Sequence, residues 1–271
     1  MNFLQAVVLG LVQGITEFLP ISSTAHLRIV PALLGWGDPG AAYSAVIQLG
    51  TVAAVVIYFR RDVVRLMKGF VDGILSRSPL ATEESRLGWF VVLGTLPIGF
   101  LGLLLKHRIE TSFRSLYVIA TSLIVLALVL GAVELVARRD RLLKDLTLRD
   151  GLLIGVCQAL ALIPGSSRSG TTLTAGLGAG LTREDAARYS FFLSIPATGL
   201  AGLFELKHLF GAAERPSTAL LLVGTAVAFL SGWLAIAGLL RFLKTHTTWV
   251  FVVYRLAMGS FLFAMLWQGK L

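Results

Sequence analysis

Six long apolar runs set the strongest limit on what this sequence can fold into. Each is close to the roughly 20 helical residues that cross a hydrocarbon core about 30 Å thick. The runs cover residues 43–59, 88–105, 116–137, 189–206, 218–240 and 249–267. They are rich in Gly and Leu and show no alternation with a period of two, which favours helices over the strands of a membrane barrel. An all-α integral membrane protein is therefore expected.

The composition supports a membrane protein and argues against a nucleic-acid partner. Of the 271 residues, 56% are hydrophobic and only 14% are charged, which no water-soluble fold of this size would carry. The net charge of +9 comes without a basic stripe interleaved with exposed aromatics, so nucleic acid is not indicated. In a membrane protein, basic residues mark cytoplasmic loops and contact anionic membrane lipids.

Two further apolar segments are too short to cross a bilayer and are broken by proline. They are residues 1–19 and 22–34, around Pro20, and residues 151–163 and 170–181, around Pro164. Each predicts a broken, re-entrant helical hairpin. A pair of such hairpins in corresponding places of two halves is typical of a binding site at membrane depth.

The two halves, approximately residues 1–140 and 145–271, resemble each other weakly. The first hairpin contains Pro20-x-Ser22-Ser23, and the second contains Pro164-x-Ser166-Ser167. One hairpin and three spans per half would turn the second copy upside down. The expected fold class is thus six transmembrane helices plus two re-entrant helical hairpins in an inverted repeat, forming a single membrane domain over residues 1–271.

The basic residues predict how the chain is oriented. Fifteen Lys and Arg side chains fall in the loops around residues 60–86, 138–149, 183–188 and 241–244. Only six fall on the other side, namely Lys106, Arg108, Arg114, Lys207, Arg215 and Lys270. Because the richer side is normally cytoplasmic, both termini are expected outside, and the two hairpin tips should approach each other from opposite faces of the membrane.

The first hairpin carries two candidate sites. Gln13 and Glu17 are four residues apart and share a helix face, where their oxygens could bind a hard cation such as Mg²⁺ or Ca²⁺. The alternative is that Glu17 caps or bridges helices as a hydrogen-bonded or neutral carboxyl group. Ser23 and His26 could form a nucleophile with its general base, the alternative being helix capping.

The second hairpin predicts an anion nest. Gly165 and Gly170 bracket Ser166-Ser167-Arg168-Ser169, and Thr171-Thr172 opens an apolar helix. Free backbone N–H groups, the helix dipole and an Arg fork together favour phosphate. A nucleotide P-loop is rejected, because its Lys is missing and no strand precedes the segment. The alternative is that Arg168 pairs with a carboxylate such as Glu17.

Three other polar residues in apolar runs have simpler expected roles. Arg255 is expected to snorkel or to pair with Glu134 or Glu205 rather than to act in catalysis. Gln48 and Ser194 lie in matching places and could line a cavity or bond across helices, and bonding across helices is favoured.

The polar stretches together resemble the undecaprenyl-diphosphate phosphatase family, also called the bacitracin-resistance protein family, over the whole chain. The matching elements are (Glu/Gln)-x-x-x-Glu from Gln13 to Glu17, Pro-x-Ser-Ser-x-x-His from Pro20 to His26, and Pro-Gly-x-Ser-Arg-Ser-Gly-x-Thr from Pro164 to Thr172. The first element has Gln13 where many relatives have Glu. The resemblance implies hydrolysis of a C55 polyprenyl diphosphate to the monophosphate and inorganic phosphate, which recycles a carrier lipid for peptidoglycan synthesis and confers bacitracin resistance.

The resemblance also implies roles for individual residues. Ser23 would be the nucleophile or would position water, His26 would be general base and acid, and Arg168 would clamp the phosphoryl oxygens. Glu17 and Gln13 would hold a divalent cation, Mg²⁺ or Ca²⁺. The remaining phosphate contacts would come from Ser22, Ser166, Ser167, Ser169, Gly170 and Thr172. The implied location is the bacterial inner membrane, multi-pass, with the site opening on the periplasmic side; a homodimer is compatible with the sequence.

Three other functions compete with this one. A secondary transporter or lipid flippase is the main alternative, since broken helices in inverted repeats are its usual architecture. A phosphatase of the phosphatidic-acid type is disfavoured because no His follows Arg168 for forty residues. A purely structural membrane protein would leave Glu17, His26 and Arg168 unexplained.

Overall fold

The computed structural model describes residues 1–111, 113, 115–211 and 217–270, so Arg114 and Arg215 of the charge count lie outside the described residues. Twelve α-helices are described. They are α1 Phe3–Phe18, α2 Ser23–Leu33, α3 Gly40–Tyr58, α4 Arg60–Leu75, α5 Glu83–Leu104, α6 Lys106–Glu110, α7 Leu116–Val136, α8 Leu148–Gln158, α9 Arg168–Gly178, α10 Arg183–Gly211, α11 Thr218–Leu243 and α12 Trp249–Trp267. Short 3-10 turns follow at Leu143–Asp145 and Ala159–Leu162.

The predicted fold class is confirmed: the chain is an all-α membrane protein. Helices α5, α7, α10, α11 and α12 are each long and apolar enough to cross a bilayer. The sixth candidate comes from the bent pair α3 and α4. In the described part of the chain, the only strand-like contact is a single bridge between Arg141 and Leu181.

Helix α4 occupies a segment that the sequence analysis assigned to a loop. It begins at Arg60, directly after α3, and the two helices meet at an angle of 86°. The basic side chains near its start were counted as loop charges, so the helical pattern of this segment was not recognised. The same charges argue against α4 continuing across the membrane core, because each would be costly there.

Both predicted hairpins are present, with small shifts in their bounds. Helices α1 and α2 form the first, and α8, the 3-10 turn Ala159–Leu162 and α9 form the second. Ser22 and Ser167 are the N-cap residues of α2 and α9, with φ of 77° and 68°. The structural counterpart of Ser22 is therefore Ser167 rather than Ser166, because the second tip holds one more residue between its proline and its N-cap.

The first half contains α4 and α6, which have no counterpart in the second half, but the remaining helices of the two halves follow the same order and pack in a related way. Helix α1 packs on α11, where Gly14 faces Ser231, and α8 packs on α5, where Gly155 faces Gly94. At these glycines no Cβ could fit without moving the facing helix. Helices α3 and α10 pack together, as do α7 and α12. The inverted relation of the halves and their boundaries stay predictions.

The connector between the halves is tied to the second hairpin by Arg141. Its Nη2 donates to Asp150 Oδ2 over 2.7 Å, and its Nη1 donates to the carbonyl oxygen of Ala179 over 2.6 Å. Burial alone would raise the pKa of the Asp150 carboxyl, but hydrogen bonds from Arg141 and Thr147 outweigh it and lower this pKa below its ordinary value. The hydrogen bond to Asp150 is likewise the main reason that the pKa of Arg141 is raised.

Candidate active site

The tips of the two hairpins contact each other. Arg168 Nη2, at the start of α9, donates to Glu17 Oε1 over 3.0 Å, although the two residues are 151 positions apart. Ser169 Oγ donates to the carbonyl oxygen of Leu19 over 3.1 Å. A composite site built from both hairpins requires this contact, and the structure contains it.

Glu17 lies at the centre of the contact and is buried. Ser23 Oγ donates to Glu17 Oε2 over 2.6 Å, and Gln13 Nε2 donates to the same oxygen over 2.9 Å. Arg168 holds the other oxygen. A buried carboxylate needs such partners, since its desolvation costs more than any single contact returns. The alternative role expected for Glu17, bridging helices through hydrogen bonds, is therefore observed. The alternative expected for Arg168, an ion pair with Glu17, is observed as well.

Local backbone geometry frees Ser23 for this contact. Helix α1 ends at Phe18, and the positive φ of Ser22 redirects the chain so that α2 begins at Ser23. Ser22 Oγ accepts from the N–H of Ala25 over 3.3 Å and is the N-cap. Capping therefore falls on Ser22, and the Ser23 hydroxyl remains available to Glu17.

The ring nitrogens of His26 bond to Ser22 and Tyr254, and no hydrogen bond between His26 and the expected partner Ser23 occurs among the described residues. The Nδ1 of His26 lies 2.7 Å from the carbonyl oxygen of Ser22, and its Nε2 lies 2.5 Å from the hydroxyl of Tyr254. Because a carbonyl only accepts, Nδ1 carries the proton and Nε2 accepts from Tyr254. The two rings also stack, with centroids 5.6 Å apart. Sequence reasoning missed Tyr254, since nothing local links it to a residue 228 positions away.

The second tip is built mainly by its own small polar residues. Ser167 Oγ accepts from the N–H of Gly170 over 3.1 Å as the N-cap of α9. Thr172 Oγ1 donates to Ser190 Oγ over 2.7 Å, and Arg168 Nη1 donates to the carbonyl oxygen of Ser190 over 2.9 Å. These bonds fix Arg168 against α10. Its Nε is buried and has no hydrogen-bond partner among the described residues.

A cavity of about 130 Å³ lies where the hairpins meet. Its polar wall is formed by Glu17, Ser22, Ser23, Thr24, Gln48, Ser167, Arg168 and Thr198. Its apolar wall is formed by Ile98, Ala161, Ala197 and Ala201. Of the predicted phosphate contacts, Ser22, Ser167 and Arg168 line the cavity, whereas Ser166, Ser169, Gly170 and Thr172 belong to the supporting loop and helix. One polar wall and one apolar wall suit a ligand with a charged head and an apolar tail.

Gln48 lines this cavity, so the less favoured of its two expected roles is the one observed. Its counterpart Ser194 instead donates to the carbonyl oxygen of Phe191 within α10. Sequence reasoning missed Thr24 and Thr198 as lining residues. Thr24 directly follows the Ser22-Ser23 pair, which was a usable signal, whereas Thr198 lies in an apolar run with no neighbouring motif.

Arg255 has a different role from the expected one. It is fully buried in α12 and donates to four backbone carbonyls instead of a carboxylate. The acceptors are Ser166 O at 3.1 Å, Gly165 O at 3.2 Å, Pro20 O at 3.3 Å and Ser122 O at 3.4 Å. One guanidinium therefore holds both hairpin tips, because its planar fork carries five donors.

The carboxylates expected for Arg255 have other partners. Glu134 accepts from Arg139 over 2.8 Å, from Thr248 over 2.8 Å, and from Arg183. Glu205 lies 3.9 Å from Lys106. The expected ion pair of Arg255 is therefore wrong, and the physical reason is that both hairpins expose carbonyls that their broken helices leave unbonded.

Comparison with known proteins fits this geometry. The family model described as "Bacitracin resistance protein BacA" matches residues 6–261. The chain belongs to the bacitracin-resistance protein BacA family. The undecaprenyl-diphosphatase of Myxococcus xanthus (strain DK1622) is 67% identical over 271 residues, which are all of this chain and 91% of the relative. The undecaprenyl-diphosphatases of Chloroherpeton thalassium and Chlorobaculum tepidum are 52% and 50% identical, covering all of this chain and 99% of each relative.

In this BacA family member, Gln13 and Glu17 are the residues expected to hold a divalent cation, and both carboxylate oxygens of Glu17 already accept hydrogen bonds. Gln13 Oε1 is buried and has no hydrogen-bond partner among the described residues. No cluster of three or more His, Cys, Asp or Glu residues suited to a metal occurs in the described part of the chain. A site with one carboxylate and one amide oxygen fits Mg²⁺, which commonly binds through one or two carboxylates plus substrate phosphates.

Proposed function

We propose that this protein hydrolyses undecaprenyl diphosphate to undecaprenyl phosphate and inorganic phosphate. The observation that carries the proposal is the buried Glu17, Ser23 and Arg168 cluster, at a cavity with one apolar wall, in a BacA family member. The names of its relatives supply the substrate. The product would return to peptidoglycan synthesis as carrier lipid, and its regeneration would give bacitracin resistance.

Ser23 is the proposed nucleophile and Glu17 the group that accepts its proton. Ser23 Oγ already donates to Glu17 Oε2 over 2.6 Å, within the reach a general base requires. Attack on the terminal phosphorus forms the Oγ–P bond, breaks the bond to the bridging oxygen and releases undecaprenyl phosphate. Water then attacks the phosphorus of the phosphoserine and the Oγ–P bond breaks; Glu17 returns its proton to Oγ, and the proton lost by the water stays on the released phosphate. If Ser23 instead positions the attacking water, its hydrogen bond to Glu17 holds the hydroxyl in place to orient that water.

Arg168 is the proposed clamp for the phosphoryl oxygens. Its Nη1 is held by the carbonyl of Ser190, while its buried Nε still lacks a partner among the described residues. An unpaired, desolvated N–H beside a cavity is well suited to an anion. Ser22 and Ser167 line the same cavity and are proposed to donate further bonds to phosphate.

His26 retains a proposed part as general acid and base, acting with Tyr254 rather than with Ser23. Its Nε2 already accepts from the Tyr254 hydroxyl, and this hydrogen bond orients the imidazole. A Mg²⁺ or Ca²⁺ ion held by Glu17 and Gln13 would neutralise diphosphate charge when bound. The protein would then need its substrate's own oxygens to complete the ion's coordination.

The proposed location is the bacterial inner membrane, with both termini and the cavity opening on the periplasmic side. Charge bias in the loops supports this orientation, and the matching order of elements in the two halves supports an inverted repeat. Cysteines introduced at Ser23 and Lys144 test it with a reagent that does not cross membranes. Reaction at Lys144 alone from outside would rule the orientation out.

The decisive experiment measures phosphate release from undecaprenyl diphosphate in detergent, with Mg²⁺, with Ca²⁺ and with chelator. Wild type is compared with Ser23→Ala, His26→Ala and Arg168→Ala, and with the surface variant Ser76→Ala as control. We expect the three site variants to lose release by at least about a hundredfold and the control to keep it. No release by folded wild type would move the function to lipid transport, whereas loss of turnover with retained binding in Ser23→Ala supports the hydrolase.

A further inference from the structure

The chain bends sharply where α3 ends and α4 begins. The chain passes from Tyr58 to Arg60 through Phe59, and the two helix axes meet at 86°. Since α3 is apolar and close to the length that crosses a membrane, a helix nearly perpendicular to it runs along the membrane surface. Helix α4 has the charge density of a surface helix, because three basic side chains follow Arg60 within eight positions.

One side of α4 is packed on α5. Gly69 and Gly73 are buried, and a Cβ at either position would clash with Glu84 or Ser85 at the start of α5. Phe70, on the same side, packs on Trp89 with ring centroids 4.7 Å apart. This packing fixes the rotation of α4 about its own axis and decides which residues remain exposed.

The rest of α4 divides into an apolar and a charged sector. The apolar sector consists of Val64, Met67, Val71 and Ile74, which are 60%, 65%, 49% and 51% exposed. Their spacing of three, four and three residues places them on one helical face. The charged sector, Arg61, Arg65, Lys68 and Asp72, is exposed and lies between the apolar sector and the side packed on α5.

We propose that α4 is a membrane-surface helix whose charged sector binds anionic phospholipid head groups while its apolar sector lies in the acyl boundary. Charge complementarity favours anionic lipid, because the side chains beside the apolar sector are three basic ones and only one acidic one. Long Lys and Arg side chains in that position reach head groups while their stems cover apolar surface. A second protein chain on the apolar sector would have to bury or displace these charges.

The depth of α4 is tested with single nitroxide labels in the full-length protein carrying Cys157→Ser. Labels replace Met67, Val71, Arg65 or Asp72, and Leu128, an exposed residue of α7, gives the lipid-facing reference. In vesicles of phosphatidylcholine and phosphatidylglycerol, labels at Met67 and Val71 should collide with oxygen as the Leu128 label does. Labels at Arg65 and Asp72 should collide with a water-soluble nickel chelate. Nickel access at Met67, or shielding of Met67 from both reagents by a second copy, overturns the proposal.

Lipid selectivity is tested by the relative association of spin-labelled phosphatidylglycerol and phosphatidylcholine with the protein. The variant Arg61→Gln/Arg65→Gln is compared with Arg108→Gln/Lys270→Gln, which removes the same charge from exposed positions elsewhere. We expect selectivity for phosphatidylglycerol to fall at least about twofold in the α4 pair and to change little in the control pair. An equal fall in both pairs would show a general charge effect and would overturn specific binding by α4.

Discussion

At the residue scale, the site depends on which atom each side chain contacts rather than on which residue types are present. Ser23 and His26 are three positions apart, yet Ser23 donates to Glu17 and His26 bonds to Ser22 and Tyr254. The cause is that Ser22 caps α2. The hydroxyl and the imidazole therefore belong to different hydrogen-bond sets, although the motif places them side by side.

Tyr254→Phe should lower kcat by about fivefold with little change in KM. The variant removes one hydrogen bond to His26 Nε2, worth about 1 kcal/mol, and keeps the stacked ring. Steady-state phosphate release provides the test, with the exposed Tyr117→Phe as matched control. In a His26→Ala background, Tyr254→Phe should have no further effect, and full additivity of the two changes would contradict a role through His26.

At the element scale, broken helices are held by close helix packing at glycines. Gly14 of α1 meets Ser231 of α11, and Gly155 of α8 meets Gly94 of α5. Small residues let backbones approach closely in membranes, where helix association depends on packing rather than on the hydrophobic effect. The hairpins are too short to span the bilayer alone, so these contacts position the hairpin tips.

Gly155→Ala should lower the stability of the protein in detergent by about 1–3 kcal/mol, because the added methyl group would push α8 away from the backbone of Gly94. Thermal unfolding followed by circular dichroism measures the loss. Gly238→Ala in α11 is the matched control, since among the described residues a Cβ there would meet no atom within 4 Å beyond its own stretch of helix. Equal melting temperatures for Gly155→Ala and wild type would show that α5 and α8 can separate without cost.

At the scale of the whole molecule, two polar contacts join distant parts of the chain. Arg255 of α12 binds carbonyls of both hairpin tips, and Arg141 of the connector binds the carbonyl oxygen of Ala179, just after α9 and 38 positions away. Each contact brings a charged group to backbone or side-chain atoms that broken helices leave open. The relative position of the halves rests on such contacts as well as on apolar packing.

Arg255→Lys should reduce phosphate release by at least about tenfold and lower the melting temperature. A lysine keeps the charge but lacks the planar fork that reaches Pro20, Gly165 and Ser166 together. Activity and thermal unfolding are measured on the same preparation, with the exposed Arg241→Lys as control. Wild-type activity in Arg255→Lys would show that the charge alone suffices to hold the tips.

Asp150→Asn should destabilise the protein at neutral pH and should lose this effect in acid. The folded protein lowers the pKa of Asp150 below 3.8, so its stabilisation is fully present above that value. As the pH falls below that value towards the folded pKa, protonation removes the stabilisation, and the gap between the melting temperatures of variant and wild type narrows. The comparison spans about pH 7 to 3. Asp72→Asn, at an exposed position, is the control, and a gap that persists unchanged in acid would contradict the ionic role.

Much of this architecture follows from the sequence, because apolar length and proline breaks act locally. Runs of about 20 apolar residues determine membrane helices, and Pro20 and Pro164 determine where the hairpins break. Helix α4 escaped notice, since its charges resemble those of a loop and its orientation depends on packing against α5. Its buried side became evident only from Gly69 and Gly73 against α5.

The sequence by itself determined the membrane class, the two polar tips and the residue types of the site, since these follow from composition and spacing. Only the tertiary structure decided the pairing of Ser23 with Glu17, the place of His26 beside Tyr254, and the bonds from Arg255 to both tips. These contacts join residues from separate helices, where side-chain direction and capping, rather than local pattern, select the partner. Because Ser22 rather than Ser23 caps α2, the Ser23 hydroxyl is available to donate to Glu17.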